Sequence, residues 1–299
     1  MPRLALKIDV DTDRGTAEGV PRLTDALQKV GADATFLFSL GPDNTGRALR
    51  RVFRRGFLGK VRRTSVLQHY GLKTLLYGVL LPGPHIGRRR APEMKEVARR
   101  GFEVGVHTYD HTRWQDGVAN ADRAWTRREL ALAQAQFTEI FGKPARMHGA
   151  AGWQLNDDVP GLESELGFEY ASDTRGVWPF MPVINGKAFS VPQIPTTLPT
   201  LDELLGLFPS TAAVREHVLT LTEPRRDQVF TLHAELEGGA LLATFLELLR
   251  GWLDQGYELC SVATLYKNLD LAQLPKHTIL KGRVEGRSGT LAVQGAQVS

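Results

Sequence analysis

The sequence has few of the features that are typical of secreted or membrane-spanning proteins. Its 299 residues include a single cysteine, Cys260, so an intrachain disulfide is excluded and a reducing compartment fits. No stretch approaches the ~18 apolar residues needed to span a bilayer. The N-terminus lacks a signal-peptide pattern, because the first predicted strand begins almost at once and carries acids. We therefore expect a cytoplasmic protein.

Acidic residues are missing altogether between Asp43 and Glu93. This segment holds twelve of the 37 basic residues and none of the 33 acidic ones, so the rest of the chain has 25 basic residues and a formal charge of −8. A segment this cationic should seek a polyanion or an anionic surface. Its basic residues are Arg47, Arg50, Arg51, Arg54, Arg55, Lys60, Arg62, Arg63, Lys73, Arg88, Arg89 and Arg90.

Part of this segment has the pattern of an amphipathic helix. Apolar residues recur at helical spacing over 49–61, and arginines lie beside them. This pattern is typical of a helix in a membrane interface, and the alternative is a core-packed helix with a solvated basic face. A nucleic-acid partner is disfavoured, because no nucleic-acid-binding motif is present. The candidate lipid- or phosphate-binding residues are Arg50, Arg51, Arg54, Arg55, Arg62 and Arg63.

Predicted strands and helices alternate along the chain, which is typical of a barrel or a doubly wound α/β domain. We expect residues 1–270 to form this domain, with residues 44–91 as a cationic insertion. Residues 271–299 are a tail for which a short hairpin and disorder both remain open. The predicted strands cover 4–10, 34–38, 102–106, 145–147, 168–171, 228–232 and 257–262, the main predicted helices cover 16–30, 92–100, 120–141 and 240–254, and a loop is predicted over 175–198.

Ionisable residues cluster where predicted strands end. The carboxyl ends of parallel barrel strands are where such folds assemble an active site, so this clustering favours a barrel with a site at that edge. The residues concerned are Asp9 and Asp11 after the first strand, His107 and His111 after the third, Arg146 and Asp173 near the next two, and His233 after the strand that begins at Gln228.

His107 and His111 are four residues apart, a spacing that places both rings on one side of a helical turn. Two neutral imidazoles can hold a divalent metal when a carboxylate or water completes the set of ligands. The nearest candidates are Asp9 and Asp11. We expect these two acids to point in different directions, on opposite faces of the first strand, so that one can bind the ion while the other stays free to act as a base.

The same residues carry a resemblance to a known family. Asp9-Val10-Asp11, His107-Thr108-Tyr109-Asp110-His111, Arg146, Asp173 and Leu232-His233 follow the order of the five motifs of the polysaccharide deacetylase (NodB-homology) superfamily. The resemblance covers about residues 4 to 265. It implies an α/β fold, a distorted (β/α) barrel with fewer than eight units, that binds one divalent metal ion: zinc, manganese or cobalt.

The resemblance also implies a role for each residue of the site. Asp11, His107 and His111 would be the metal ligands, and Asp9 would be the general base. His233 would donate a proton to the leaving amine. Arg146 would orient Asp9, and Asp173 would orient Arg146 or a catalytic histidine. His148 is open between a site role and a loop role.

Within the superfamily, the chain is most similar to the branch that removes formate from formamido-arabinose linked to undecaprenyl phosphate. The third motif reads Arg146-Met147-His148-Gly149-Ala150 instead of the usual Arg-x-Pro-aromatic-Gly, and Ala234-Glu235 follow His233 where the usual residue is Asp. Both departures fit this branch. The implied protein is a peripheral enzyme on the cytoplasmic face of a bacterial inner membrane, without an obligate protein partner. The alternatives are an N-acetyl sugar deacetylase and a non-enzymatic module that binds anionic lipid.

Overall fold

The computed structural model describes residues 1–47, 74 and 76–298. Most of the predicted amphipathic segment lies outside these residues. Among the described residues, no helix has both the length and the apolar character required to traverse a bilayer. The candidate lipid-binding residues outside the described part are Arg50, Arg51, Arg54, Arg55, Arg62 and Arg63.

The described strands form two sheets. The larger is a seven-stranded parallel sheet in the order β5-β4-β3-β2-β1-β8, with β9 also paired to β1. The prediction of a distorted α/β barrel with fewer than eight units is confirmed. The strands of this sheet are β1 (Arg3–Val10), β2 (Thr35–Ser39), β3 (Glu103–Thr108), β4 (Met147–His148), β5 (Tyr170–Ala171), β8 (Gln228–His233) and β9 (Glu258–Cys260), and those of the second sheet are β6 (Met181–Ile184), β7 (Lys187–Ala188), β10 (Lys276–Gly282) and β11 (Leu291–Val298).

Strand β1 pairs with three strands of the larger sheet, β2, β8 and β9. It is buried on both faces, as expected for a parallel strand with an almost continuous apolar run. Side chains of the even-numbered residues, such as Leu6 and Ile8, pack into the main hydrophobic core. Ala5 belongs to a separate cluster on the opposite face. Since side chains alternate along a strand, Lys7 and Asp9 lie on the same face as Ala5.

Helices cover the outer side of the sheet and enclose the main core. The first one ends at Gly31, which adopts a left-handed conformation with φ of 69° and is therefore suited to terminate it. The helices are α1 (Val20–Val30), α2 (Ile86–Arg89), α3 (Ala91–Arg99), α4 (His111–Gly117), α5 (Arg123–Phe141), α6 (Val159–Glu165), α7 (Leu201–Leu204), α8 (Thr211–Leu221), α9 (Leu242–Asp254) and α10 (Val262–Lys267).

The second sheet involves two regions that the sequence leaves irregular or open. The segment predicted as a loop over 175–198 contains β6 and β7, which pair as an antiparallel hairpin. The tail forms the antiparallel pair β10 and β11, and β10 lies parallel to β6. This arrangement attaches the tail to the barrel, and the connection between β10 and β11 carries Arg287.

Candidate active site and metal centre

Three side chains from different elements meet at the carboxyl edge of the larger sheet. Asp11 directly follows β1, His107 lies near the end of β3, and His111 begins α4. The Asp110 side chain caps α4 by accepting a hydrogen bond from the backbone N–H of Arg113, so the helix starts immediately after the strand. Asp11 Oδ1 lies 3.2 Å from His107 Nε2 and 3.5 Å from His111 Nε2.

The geometry of these three residues fits a divalent metal ion. Ligand atoms that share one ion at about 2.1 Å are separated by roughly 3 to 3.5 Å. Asp11 Oδ1 is buried without a hydrogen-bond partner among the described residues, as expected of an atom placed to ligate. Burial lowers the pKa of His111, which favours the neutral imidazole that a metal requires.

His107 is held in the tautomer that a ligand needs. Its Nδ1 lies 2.6 Å from the carbonyl oxygen of Gly149. A carbonyl can only accept, so Nδ1 carries the proton and donates it to this bond. The lone pair is therefore on Nε2, which faces Asp11. Such a second contact fixes both the tautomer and the orientation of a metal-binding histidine.

Asp9 lies beside the three candidate ligands. Its Oδ1 is 3.9 Å from His107 Nδ1 and has no hydrogen-bond partner among the described residues. The expectation that Asp9 and Asp11 point in different directions is wrong, since both carboxylates approach His107. Residues two apart on a strand share a face, so the end of β1 brings both acids to the inside of the barrel.

Lys7 is the cation that contacts Asp9. Its Nζ is 3.4 Å from Asp9 Oδ2 and 3.3 Å from the carbonyl oxygen of Ser172, and its side chain is fully buried. Nζ also lies 5.1 Å from the ring centroid of Trp153. A buried carboxylate needs a partner of opposite charge. Lys7 supplies this charge to Asp9 from the same face of β1.

Arg146 was expected in this place, and the structure contradicts that expectation. The Arg146 guanidinium is half-exposed and makes a two-pronged ion pair with Glu169, at 2.5 and 2.6 Å. The physical reason is its position along the chain. Arg146 precedes β4, so it lies at the opposite end of that strand from the site, whereas Lys7 precedes Asp9 by two residues on the inner face of β1.

His233 ends β8 and is paired in register with Asp9 on the neighbouring strand. Its backbone N–H donates to Glu237, and its Nδ1 lies 3.7 Å from Asp202 Oδ1. Burial disfavours the charged imidazole, but Asp202, Asp11 and Asp9 outweigh it and raise the pKa of His233 to about 9. The ring therefore holds a proton at neutral pH, as a general acid must.

Asp173 does not contact Arg146 or His233. It forms a fully buried cluster with His148 and Glu163, in which His148 Nδ1 lies 3.2 Å from Asp173 and 2.6 Å from Glu163. Burial lowers the pKa of His148, but the two carboxylates outweigh it and raise that pKa to about 10. The 2.6 Å contact is a hydrogen-bond length and leaves no room for an ion between the two atoms. Asp173 and Glu163 thus hold a charged His148.

The buried cluster fixes the backbone that supports His107. Asp173 Oδ1 also accepts a hydrogen bond of 2.7 Å from the backbone N–H of Ala150. Gly149, whose carbonyl oxygen accepts from His107, lies between His148 and Ala150. Because both neighbours of Gly149 are tied to Asp173, this cluster sets the position of the candidate ligand His107 without offering a ligand atom itself.

Sequence reasoning missed several members of the site. Glu235 Oε1 accepts hydrogen bonds from the backbone N–H groups of Asp11 and Thr12, so it holds the turn that carries a ligand. Lys7 had a usable signal, a charge within an otherwise apolar strand and two residues before Asp9. Asp202 had none, because it lies in the four-residue helix α7, and no strand end marks it.

A curled parallel sheet with two histidines and two aspartates at its carboxyl edge is the arrangement of a hydrolase of the polysaccharide deacetylase type. The polysaccharide deacetylase family model matches residues 8–171. Two curated relatives, 34% and 31% identical, match 99% and 94% of the chain. The chain therefore belongs to the polysaccharide deacetylase family.

Both relatives are named as probable 4-deoxy-4-formamido-L-arabinose-phosphoundecaprenol deformylase ArnD. The protein from Shewanella sediminis is 34% identical over 99% of this chain and 96% of its own length. The protein from Wigglesworthia glossinidia brevipalpis is 31% identical over 94% of this chain and 98% of its own length. Among solved structures, a protein from Mycobacterium smegmatis assigned as a polysaccharide deacetylase superimposes with a TM-score of 0.64 at 16% sequence identity. The match covers 95% of this chain and 96% of the Mycobacterium smegmatis chain. It shows the same fold.

The ligand assignment predicts the metal content of variants. His107→Ala or His111→Ala removes one of two imidazoles, so protein purified without added ions should contain far less metal than the wild type. The measurement is elemental analysis by mass spectrometry, with circular dichroism to verify folding. His217→Ala, a histidine on helix α8, is the control and should retain the wild-type metal content. Unchanged metal in both site variants would disprove the assignment.

The Lys7–Asp9 pair predicts different outcomes for two substitutions. Lys7→Met leaves a buried carboxylate without its counter-charge, and breaking such a pair typically costs about 3 to 5 kcal/mol of stability. Lys7→Arg keeps the charge and should retain much more of both stability and turnover. Urea denaturation measures the first quantity. Arg146→Met is the control, because an exposed ion pair contributes about 0 to 1 kcal/mol.

Proposed function

We propose that this chain is a metal-dependent amide hydrolase that removes formate from 4-deoxy-4-formamido-L-arabinose linked to undecaprenyl phosphate. The relatives with this name match it from end to end. The observation that carries the proposal is the free Oδ1 of Asp9, buried beside Asp11, His107 and His111. A hydrolase can use as its general base a carboxylate that lies next to the metal centre and is not itself a ligand.

The residues divide the reaction between them. A divalent ion held by Asp11, His107 and His111 would polarise the formyl oxygen and make a water molecule more acidic. Asp9 removes a proton from the attacking water at its free Oδ1. Lys7 holds the other oxygen of Asp9, so the carboxylate stays oriented during proton transfer. The water oxygen forms a bond to the formyl carbon, and the C–N bond then breaks.

His233 completes the reaction by donating its proton to the leaving nitrogen. The raised pKa of His233 keeps that proton available at neutral pH, and Asp202 stabilises the charged ring. The products are formate and the 4-amino sugar on its lipid carrier. We propose that this aminosugar lipid is the donor for lipid A modification, which confers resistance to cationic antimicrobial peptides and polymyxin.

One carboxylate and two imidazoles combine a hard oxygen ligand with two borderline nitrogen ligands, a set that zinc, cobalt and manganese can each use, so we propose one of these three as the native metal. An N-acetyl sugar deacetylase is the second candidate, because the family model describes polysaccharide deacetylases. Formate and acetate release from matched formamido and acetamido substrates distinguish the two.

Single substitutions should separate catalysis from metal binding. Asp9→Asn and His233→Ala should each reduce formate release from the lipid-linked formamido sugar by roughly 100-fold or more, because each removes a proton-transfer group. Metal content should stay at the wild-type level, since neither residue is a ligand. Near-normal turnover by either variant would refute its assigned role, and the absence of formate release by the metal-loaded wild type would refute the function.

We also propose that residues 44–91 attach the enzyme to the cytoplasmic face of the inner membrane. The support is the charge of this segment and the lipid carrier of the proposed substrate. Each basic residue near an anionic leaflet contributes about 1 kcal/mol. Replacing Arg50, Arg51, Arg54 and Arg55 by Gln should therefore reduce the fraction of protein that sediments with phosphatidylglycerol vesicles.

Vesicles of phosphatidylcholine alone provide the control for this charge-dependent binding. The wild type should bind them weakly at physiological salt, and the four-residue variant should bind them no differently. Equal binding of both proteins to the anionic vesicles would rule out the proposed attachment.

A further inference from the structure

We propose that Arg287, carried by the C-terminal tail, binds the phosphodiester of the substrate and so selects a sugar linked to a phosphate over the same sugar without one. The inference rests on the proposed function and extends it to the substrate's anionic group. Arg287 lies in the connection between β10 and β11, beyond the stretch that the family model matches.

Arg287 joins two other cations around the buried Trp153. The guanidinium carbons of Arg287 and Arg175 lie 4.6 and 5.0 Å from the Trp153 ring centroid, and Lys7 Nζ lies 5.1 Å from it. Lys7 in turn contacts Asp9. A single aromatic ring therefore separates Arg287 from the residue that holds the proposed base, which places Arg287 next to the catalytic centre.

A second route leads from Arg287 to the catalytic centre. Arg287 Nη1 donates to Glu203 Oε1 at 3.2 Å, and Glu203 directly follows Asp202 in helix α7. Asp202 Oδ1 lies 3.7 Å from His233 Nδ1. Arg287 is thus held by the same short helix that carries the partner of the proposed proton donor.

Arg175 and Arg287 share a single carboxylate. Both guanidinium groups donate to Glu203 Oε1, at 2.6 and 3.2 Å. These three groups together carry one net positive charge, which an anion can neutralise.

Arg287 is the cation that can present this charge to a ligand. Its side chain is 20% exposed, against 10% for Arg175 and 0% for Lys7. Its Nη1 donates to Glu203, and within the described part of the chain Nε and Nη2 have no hydrogen-bond acceptor. A guanidinium with two free donors can bind a phosphate with two parallel hydrogen bonds.

The proposed substrate carries its phosphodiester apart from its formamide, so the site needs an anion subsite apart from the catalytic residues. The formamide on C4 and the phosphodiester on C1 are at opposite ends of one pyranose ring. When the formyl group lies between Asp9 and His233, the phosphate must lie one sugar ring away from them. Trp153 and Lys7 lie between Arg287 and Asp9, and helix α7 lies between Arg287 and His233. Arg287 is therefore set apart from both catalytic residues, on the more exposed side.

The test compares two substrates with the metal-loaded full chain. One is the formamido sugar linked through a phosphodiester to a short prenyl chain, and the other is its methyl glycoside. Arg287→Gln should raise the KM for the phosphodiester roughly tenfold or more, because it removes charge-assisted hydrogen bonds. The KM for the methyl glycoside should change by less than about twofold, because the methyl glycoside lacks the phosphate. Arg287→Lys should recover part of the loss, since it keeps the charge but not the fork.

Arg283→Gln is the matched control, because Arg283 is an exposed arginine of the same connection and its loss changes the net charge equally. It should leave both KM values unchanged. An equal rise of both KM values in Arg287→Gln, or no rise at all, would overturn the proposal and leave Arg287 as an anchor for the tail.

A failure of the proposed function is distinguishable from a failure of this inference. If the wild type releases formate from neither substrate, calorimetric titration of the short prenyl phosphate into wild-type and Arg287→Gln protein still decides about Arg287. Weaker binding by the variant supports the phosphate subsite, and equal binding overturns it.

Discussion

The contact between Lys7 and Asp9 is the interaction on which the rest of the site depends. Both side chains are buried on the inner face of β1, where an unpaired charge would be strongly destabilising. A buried ion pair is weak evidence for stability, because its desolvation cost can exceed the attraction. Its value here is positional: Lys7 occupies one oxygen of Asp9 and leaves the other free, beside the metal ligand His107.

Two separate networks position the candidate ligands without offering a ligand atom themselves. Glu235 holds the backbone of the turn after β1, and with it Asp11. The cluster of His148 and its two carboxylates holds the backbone around Gly149, and with it His107. Catalytic geometry must be maintained within a fraction of an ångström, and packed side chains alone rarely achieve that. The fully buried ionisable groups of these two networks therefore serve to position the backbone that carries or contacts the candidate ligands.

Ionisable residues at the ends of apolar strands were sufficient to predict an α/β barrel with a site at that edge, and the resemblance to the polysaccharide deacetylase superfamily supplied the choice of Asp11, His107 and His111 as candidate ligands. The sequence was insufficient where contacts depend on tertiary distance. Arg146 and Lys7 are both basic, and only the location of the two-residue strand β4 decides between them. Arg287 belongs to a tail with weak alternation, and its hydrogen bond to Glu203 joins this tail to helix α7, a contact between segments with no shared pattern.

Gly149 in the third motif is required by close packing. A side chain there would start 2.4 Å from Leu37 and 3.2 Å from Lys7 Cε, so Leu37 excludes it and the lysine stem passes close beside the glycine. The same glycine offers its carbonyl oxygen to His107. Arg146 of this motif points away to Glu169, so the cation beside Asp9 comes from β1. Lys7 and Gly149 thus belong to one packing arrangement, in which the lysine contacts Asp9 and the glycine carbonyl fixes a candidate metal ligand.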